Sequence, residues 1–462
     1  MKRKKMATTN SHIDFFDKRY KFNNNNWSLP MNVFSDDHWQ IPALQAKREE
    51  LNATKEMLNN YDLSAWSFHT KKRDPSTMII KTIRKNFNPE LLTQAWCKFY
   101  ECLSKFDIIS PKAIEKGTLN SMHLCEAPGG FISALNHYLN TKYINLKLHW
   151  YANTLNPSYE GNPTNQMIPD DRLIAHTKES WLFGADQTGD IMKFHNYIHI
   201  TKEVLEKCPE KLDLITADGS IDCMSDPGNQ ELHVEHLHFC EVITALSLLK
   251  TGGNFVLKIF TTFEDSTICL LYLLNCVFTS VCIIKPITSK SGNSETYVVN
   301  QTFKGIDYLT TIWPHLLNHY KNPCKTKALF ALSDIPDSFL NQITECADYF
   351  MRLQITTIHE NINRFGQQSK QYNYKLFQYQ TGIVNKFLTL HPIQSLDTEA
   401  RIVPEHELKL MSLRNGCMKK SGLFKLYNNQ NKRKLIVTLF VGKRLRRFSI
   451  QNLHELKIYA II

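Results

Sequence analysis

Apolar and polar positions change their period along the chain, and each change marks an element. Up to about residue 88 the sequence is polar and irregular, broken by Asn23 to Asn26, with helical patterning only across "LQAKREELNATKEMLNNYDL". From "NPELLTQAWCKFYECLSKF" the spacing turns regular: Leu91, Leu92, Ala95, Trp96, Phe99 and Leu103 recur at helical intervals. Strand-like and helix-like segments then alternate. The strands predicted are "MHLCEA", "LKLHWYA", "KLDLITADGS", "GGNFVLKIF", "SVCIIKPI" and "ETYVVNQTF"; the helices are "FISALNHYL", "HLHFCEVITALSLL" and "STICLLYLLNCVF". This order predicts a layered α/β fold, a mostly parallel sheet with helices on both faces. The short link "TSKSGNS" between the last two strands predicts one antiparallel strand. Past about Gly305 the alternation fades into helical stretches and the basic strand-like run "KRKLIVTLFVGKRLRRFSI", which predicts a smaller C-terminal α+β region. The expected division is therefore an N-terminal extension (1–88, partly disordered or docked), a central domain (89–305) and a C-terminal region (306–462).

Length and charge narrow the function classes only slightly. A chain of 462 residues buries a sizeable core, and its formal net charge of +11 attracts polyanions without saying which. The 12 cysteines form no CxxC pair, which points to reduced thiols in a cytosolic or nuclear compartment and gives no indication of zinc. No apolar run reaches the roughly 18–20 residues that span a bilayer, and the start "MKRKKMATTN" has no hydrophobic signal region, so no membrane association is expected. Lys2, Arg3, Lys4 and Lys5 read equally as a short nuclear import signal or a solvated tail. The expected distribution is nucleus and cytoplasm.

The chemistry begins at "LCEAPGGFISALNHYL", where Gly129 and Gly130 stand between a strand and a helix. A glycine turn there lets backbone approach a ligand without Cβ interference, at the strand ends where open α/β sheets bind ligands. The same turn read alone is ordinary strand-to-helix punctuation. It is neither GxGxxG nor a Gly-Lys-Ser/Thr phosphate loop, so dinucleotide enzymes and nucleoside triphosphatases lose ground. Three more polar residues stand at strand ends or starts: Asp218 closing "DLITAD", Lys258 in "FVLKIF" and Glu295 before "TYVV". Lys98 sits on the helix that precedes them all. Singly, each reads as a surface or turn residue.

Together these phrases resemble the FtsJ-like ribose 2′-O-methyltransferases, defined by a Lys-Asp-Lys-Glu tetrad and a Pro-Gly-Gly first motif. The resemblance is nearer still to the adrift-type cap-specific branch, which acts on the second transcribed nucleotide of capped mRNA. It is carried by "LLTQAWCKF", "LCEAPGGFISALNHYL", "WYANTLNPSYEGN", "DDRLIAHTKESWLFGADQTGDIM", "LITADGSID" and "GGNFVLKIFTTFEDST", and covers roughly residues 90 to 305. It implies a Rossmann-like methyltransferase fold, S-adenosyl-L-methionine as methyl donor and the 5′ end of capped mRNA as partner. It implies a catalytic tetrad of Lys98, Asp218, Lys258 and Glu295, and donor contacts from Gly129, Gly130, Trp150, Asp190 and Asp218. Trp150 stands where nucleotide-binding sheets often place an acid, and reads as an adenine-stacking face or as core. Asp186 is an alternative to Asp190. In this scheme Lys258 is the general base: burial and Lys98 lower its pKa, Asp218 and Glu295 position the two ammonium groups and raise it, and the sequence leaves the balance open. No metal is required. Relatives of this branch carry a second, degenerate methyltransferase-like domain, and residues 306–462 leave room for a shortened version. Two other readings stay open: the same chemistry on the first nucleotide or on ribosomal or transfer RNA, and a non-catalytic RNA-binding module with this fold.

The remaining clusters carry less. His233, His236, His238 and Cys240 in "ELHVEHLHFC" do not share one helical face, so a metal site is not expected. Tyr159, Trp181, Phe183, Phe194 and Tyr197 suit base stacking, but in a domain of this size they read more readily as core. The tail cations Lys432, Arg433, Lys434, Lys443, Arg444, Arg446 and Arg447 suit either phosphate contact or the solvated face of a hairpin.

Overall fold

The computed structural model describes residues 14–23, 26–143, 145–163, 167–168, 170–223 and 226–404, with the backbone of strands Ile436–Val441 and Arg444–Ser449. The basic start at Lys2 to Lys5 and the side chains of the basic tail lie outside the described residues. The chain divides into two compact units, Met1–Ile402 and Val403–Ile462. The expected divisions at 88 and 305 do not coincide with that boundary. In the second unit Ile436–Val441 pairs antiparallel with Arg444–Ser449.

The first unit is built on seven strands: β1 (Arg19–Lys21), β2 (Thr118–Leu124), β3 (Lys147–Ala152), β4 (Leu212–Ala217), β5 (Leu249–Ile259), β6 (Phe278–Ile284) and β7 (Thr296–Phe303). Their order is β1-β6-β7-β5-β4-β2-β3. β2, β3, β4 and β5 are mutually parallel, while β7 runs antiparallel to both β5 and β6. The expectation of one antiparallel strand is corrected by β1, which adds a second by pairing antiparallel with β6 and taking the edge of the sheet. Three residues, Arg-Tyr-Lys, are too short and too polar to show an alternation of their own. Their pairing is set by the open edge of β6.

Before the second strand lie α1 (Pro42–Glu56), α2 (Leu63–Arg73), α3 (Pro75–Phe87), α4 (Gln94–Lys105) and α5 (Pro111–Lys116). Between the strands come α6 (Gly130–Lys142), α7 (Arg172–His176), α8 (Phe194–Lys207), α9 (Gln230–Leu248) and α10 (Asp265–Val277). After them follow α11 (Trp313–Lys321), α12 (Asp337–Asn363) and α13 (Lys370–Leu390). α12 packs on α1, and α13 on α3. None of these helices is long and apolar enough to cross a membrane.

Two apolar clusters sandwich the sheet, and strand alternation decides which residue joins which. Phe255, Leu257 and Ile259 of β5 and Val298 of β7 join the cluster formed with α8, α9 and α10. Val256 of β5 and Tyr297 and Val299 of β7 join the other, with Trp96, Phe99 and Tyr100 of α4 and Phe131 and Leu135 of α6. Two residues on from Val256, the same phase puts Lys258 on the α4 side. Register places Lys258 opposite Tyr297.

Candidate active site

β2 and β4 end side by side, Leu124 opposite Ala217, and the loops that leave them form the floor of the site. After β2 the backbone turns sharply: Cys125 has φ 54° and Gly129 φ 103°. Gly129 stands at the start of α6 without a side-chain cap. The carboxylate of Glu126 takes that role, accepting the N–H groups of Phe131 at 2.8 Å and Ile132 at 3.1 Å. Burial pushes the Glu126 carboxyl well above the ordinary carboxylate range.

The two glycines do different things. A Cβ on Gly129 would lie 2.2 Å from Cδ2 of Leu173 on α7, and its left-handed backbone disfavours any side chain. A Cβ on Gly130 would lie 2.6 Å from Oγ1 of Thr93 and 3.3 Å from the Trp96 nitrogen. Gly130 therefore lets α6 approach the first turn of α4, the helix that carries Lys98. Thr93 caps that turn by accepting the Trp96 N–H at 3.1 Å.

Asn153 is the first residue after β3. Its amide donates to the carbonyls of Leu182 at 2.9 Å and Gly189 at 3.1 Å, and Leu182 N–H donates to Ala152 O at 2.8 Å. These bonds fasten the 181–190 loop to β3. Half-buried Trp150 meets buried Trp181 edge to face, with ring centroids 6.1 Å apart. The loop also separates the two aspartates. Asp186 is consumed internally, paired with Lys193 at 2.7 Å and accepting from Thr188 and Asn196. The Asp190 carboxylate takes only the Met192 N–H, at 3.0 Å, and its second oxygen accepts no hydrogen bond among the described residues.

The four residues expected as a tetrad meet as two ion pairs. Lys98 Nζ lies 2.5 Å from Glu295 Oε1, and Lys258 Nζ lies 3.1 Å from Asp218 Oδ1 while donating to the Asp218 carbonyl at 2.7 Å. Tyr297 ties the pairs together: its hydroxyl donates to Asp218 Oδ1 at 3.0 Å and lies 3.5 Å from Glu295 Oε1. Ser289 Oγ donates to the same Glu295 oxygen at 3.1 Å. Both lysines are 8% exposed and Tyr297 is 1% exposed, so the charges interact in a poorly screened setting.

The electrostatic balance at Lys258, which opposing effects leave open in the sequence, comes down on the side of the carboxylates. Burial lowers the pKa of Lys258, but attraction to Asp218 and then Glu295 outweighs it, and the net shift is upward from the usual lysine value. Lys258 therefore rests as an ammonium. Burial raises the pKa of Glu295, yet Lys98 and Lys258 hold it down at about 2. Burial and the adjacent carboxylates push Tyr297 well above the ordinary phenol range, so it remains a donor.

Sequence reasoning missed the residues that fix this geometry. Tyr297, two positions after Glu295 in an extended segment, shares its side of the strand, and that alternation was the available signal. Glu101, one turn after Lys98 on α4, accepts the N–H groups of Ile287 and Thr288 and the Thr288 hydroxyl, fastening the β6–β7 connection to α4. Glu241 on α9 accepts Gly219 N–H at 3.1 Å and holds the backbone next to Asp218. Nothing local distinguishes these two glutamates from surface acids.

Elsewhere the structure answers the weaker candidates. His233 pairs with Asp226, His236 lies 3.6 Å from Cys240 Sγ, and His238 is buried against Phe260. Among the described residues no group of three or more His, Cys, Asp or Glu side chains is placed to hold a metal. Trp181 and Tyr197 are core, Phe183 and Phe194 are half-buried, and Tyr159 is 39% exposed.

Residues 91–303 match the family described as FtsJ-like methyltransferase. The chain is 46% identical to the cap-specific mRNA (nucleoside-2′-O-)-methyltransferase 2 of Danio rerio over 355 residues, which cover 76% of this chain and 48% of that protein. It is 40% identical to the like-named protein of Pongo abelii over 92% of this chain and 56% of that one. The Drosophila melanogaster protein of the same name is 40% identical, over 84% and 56%. The chain thus spans about half the length of the curated relatives it matches.

Proposed function

We propose that this chain, whose residues 91–303 match the FtsJ-like methyltransferase family, transfers a methyl group from S-adenosyl-L-methionine to the ribose 2′-oxygen of the second transcribed nucleotide of capped mRNA. The observation that carries this reading is the meeting of Lys98, Glu295, Tyr297, Asp218 and Lys258 within one hydrogen-bonded cluster, beside the Pro-Gly-Gly loop. The choice of capped mRNA and of its second nucleotide rests on the printed names of relatives that are 40–46% identical.

The residues present fit the donor. Gly129 leaves bare backbone in the turn after β2, half-buried Trp150 on β3 offers an aromatic surface, and Asp190 keeps a carboxylate oxygen for an amino donor such as that of adenine. Asp218, at the end of β4, offers a carboxylate to a positive charge. When bound, S-adenosyl-L-methionine supplies an electrophilic methyl group on a sulfonium.

The protein's own contribution is orientation and proton management. Two of the three N–H directions of Lys258 are taken by Asp218, leaving one for the ribose oxygen. Lys98, held by Glu295, supplies a second cation toward the same oxygen. A hydroxyl gripped in this way is set for in-line attack, and orientation of this kind supplies about 7–11 kcal/mol of barrier reduction. Lys258 must shed its proton before it accepts the hydroxyl's. A cation beside Asp218 weakens the attraction that keeps Lys258 charged, so donor binding and loss of that proton favour each other.

The test is transfer of labelled methyl from S-adenosyl-L-methionine to capped RNAs that differ only in methylation of their first two riboses. Label mapped to the second ribose is expected, and Lys258→Ala should abolish it while the protein stays folded. Label on the first ribose, on uncapped RNA alone, or undiminished in Lys258→Ala refutes the corresponding part of the reading.

A further inference from the structure

Beneath the cluster lies a third buried lysine that the scheme above does not use. Lys285 follows β6 and is 3% exposed. Its ammonium donates to the carbonyl of Asn293 at 2.7 Å, to Asn293 Oδ1 at 3.0 Å and to the carbonyl of Glu295 at 2.9 Å. Every N–H is used, and every acceptor lies in the turn that delivers Glu295 to the site. The same turn is gripped from outside by α12, where Gln354 donates to Gly292 O and accepts from Ser294 Oγ. Of these two grips only Lys285 reaches Glu295.

The N-terminal strand seals this arrangement. Lys285 N–H donates to Lys18 O at 2.8 Å, next to the β1 pairing of Arg19 with Ile284. Lys18 is itself 3% exposed, its ammonium lacks a hydrogen-bond partner among the described residues, and it lies 4.8 Å from the centre of the Phe15 ring. The charges around the pair are Asp74 at the start of α3, Lys98, Glu101 and Lys105 on α4, and Glu295. Burial, and then Lys18, push Lys285 down to about 7 despite Glu295. Burying an ammonium is costly, and a neutral amide would satisfy these acceptors at lower cost.

We propose that Lys285 is a positioning residue for methyl transfer: sealed behind β1, it fixes the Asn293–Glu295 backbone so that the Glu295 carboxylate meets Lys98. Its kinetic consequences rest on the methyl-transfer reading above; its geometric consequence does not. Lys285→Met keeps the length and removes the donors. A loosened Lys98–Glu295 pair lowers the single-turnover rate about 10- to 100-fold, since a displacement near 1 Å in a reacting assembly costs about that much. Affinity for S-adenosyl-L-methionine should stay within about twofold, because none of its proposed contacts involves this turn. In a Glu295→Gln background the same substitution should cost less than about threefold further, as expected for residues acting through one group. A crystal structure of Lys285→Met should show Lys98 and Glu295 separated beyond ion-pair distance. If that variant does not fold, Asn293→Ala, which removes one of three acceptors, should lower the rate by about three- to tenfold. An unchanged rate in either folded variant, an equal loss in the Glu295→Gln background, or an intact Lys98–Glu295 contact overturns the proposal. If the unaltered protein transfers no methyl group to any RNA, the reaction reading fails, and the crystal structure still decides the positioning role.

Discussion

Glu295 offers the most direct measurement of what the charge cluster is worth. Its carboxyl is held at about 2, against an ordinary value of 4.5, because Lys98 and Lys258 overcome the opposing effect of burial. At about 1.4 kcal/mol per pH unit, that difference amounts to about 3 kcal/mol of folding free energy linked to its ionisation. The sign follows from the depressed value: the contribution is complete above about pH 4.5 and is lost as pH falls toward 2. Glu295→Gln removes the titration and leaves Lys98 buried without its counter-charge, a loss of the kind that costs about 3–5 kcal/mol. The variant should therefore be well below the parent in stability near pH 6, and the gap should narrow by about 3 kcal/mol as pH falls from 5 to 2. Urea unfolding of both proteins at intervals across that range measures the gap directly, and taking the difference cancels the other acids. A gap that stays constant with pH would show that Glu295 is not held ionised by its lysines, and the electrostatic account of the site would fall with it.

Three further outcomes test other parts of the site. Tyr297→Phe deletes the hydroxyl that bridges Asp218 and Glu295 and should slow single-turnover methyl transfer about 5- to 30-fold, from about 1–2 kcal/mol of lost positioning, and lower unfolding free energy by about 1–3 kcal/mol as buried carboxylate oxygens lose a donor. Gly130→Ala drives a methyl group against Thr93 and the backbone at Trp96 and should lower unfolding free energy by about 1–3 kcal/mol, read by thermal denaturation. Because Lys258 is held above the ordinary lysine value, a rate that needs its neutral form must rise with pH between about 6.5 and 9, up to tenfold per unit; a flat profile of single-turnover rates would assign Lys258 to orientation alone.

The parts of this molecule legible in its sequence are those governed by local period and by turn chemistry. The alternation of "GGNFVLKIF" and "TYVVNQTF" placed β5 and β7 correctly, and with them the strand that carries Lys258. What the alternation left out is long-range. β1 has three polar residues and exists because β6 has an open edge. Glu101 and Lys285 read as surface charges until the connection from 285 to 295 folds back over α4. The sign of the Lys258 shift was equally out of reach, because burial and the carboxylates oppose each other and only distances decide between them. Gly130 shows the converse. Its glycine was legible as a close approach, but the approaching group is the first turn of α4.

The cluster's composition connects its stability to its chemistry. Lys98 and Lys258 against Glu295 and Asp218 sum to no net charge, which is why four ionisable side chains can be tolerated at so little exposure. On the proposed methyl-transfer reading, a sulfonium arriving beside Asp218 would leave that balance one unit positive, and two events would restore it: loss of a proton from Lys258, or growth of negative charge on the ribose oxygen. Both lie on the path to transfer. The carboxylates that keep Lys258 protonated in the resting protein are therefore not at odds with its use as a base. On that reading they hold the cluster neutral until the cation that makes deprotonation favourable is in place, and Tyr297, bonded to one pair and within reach of the other, couples the two pairs.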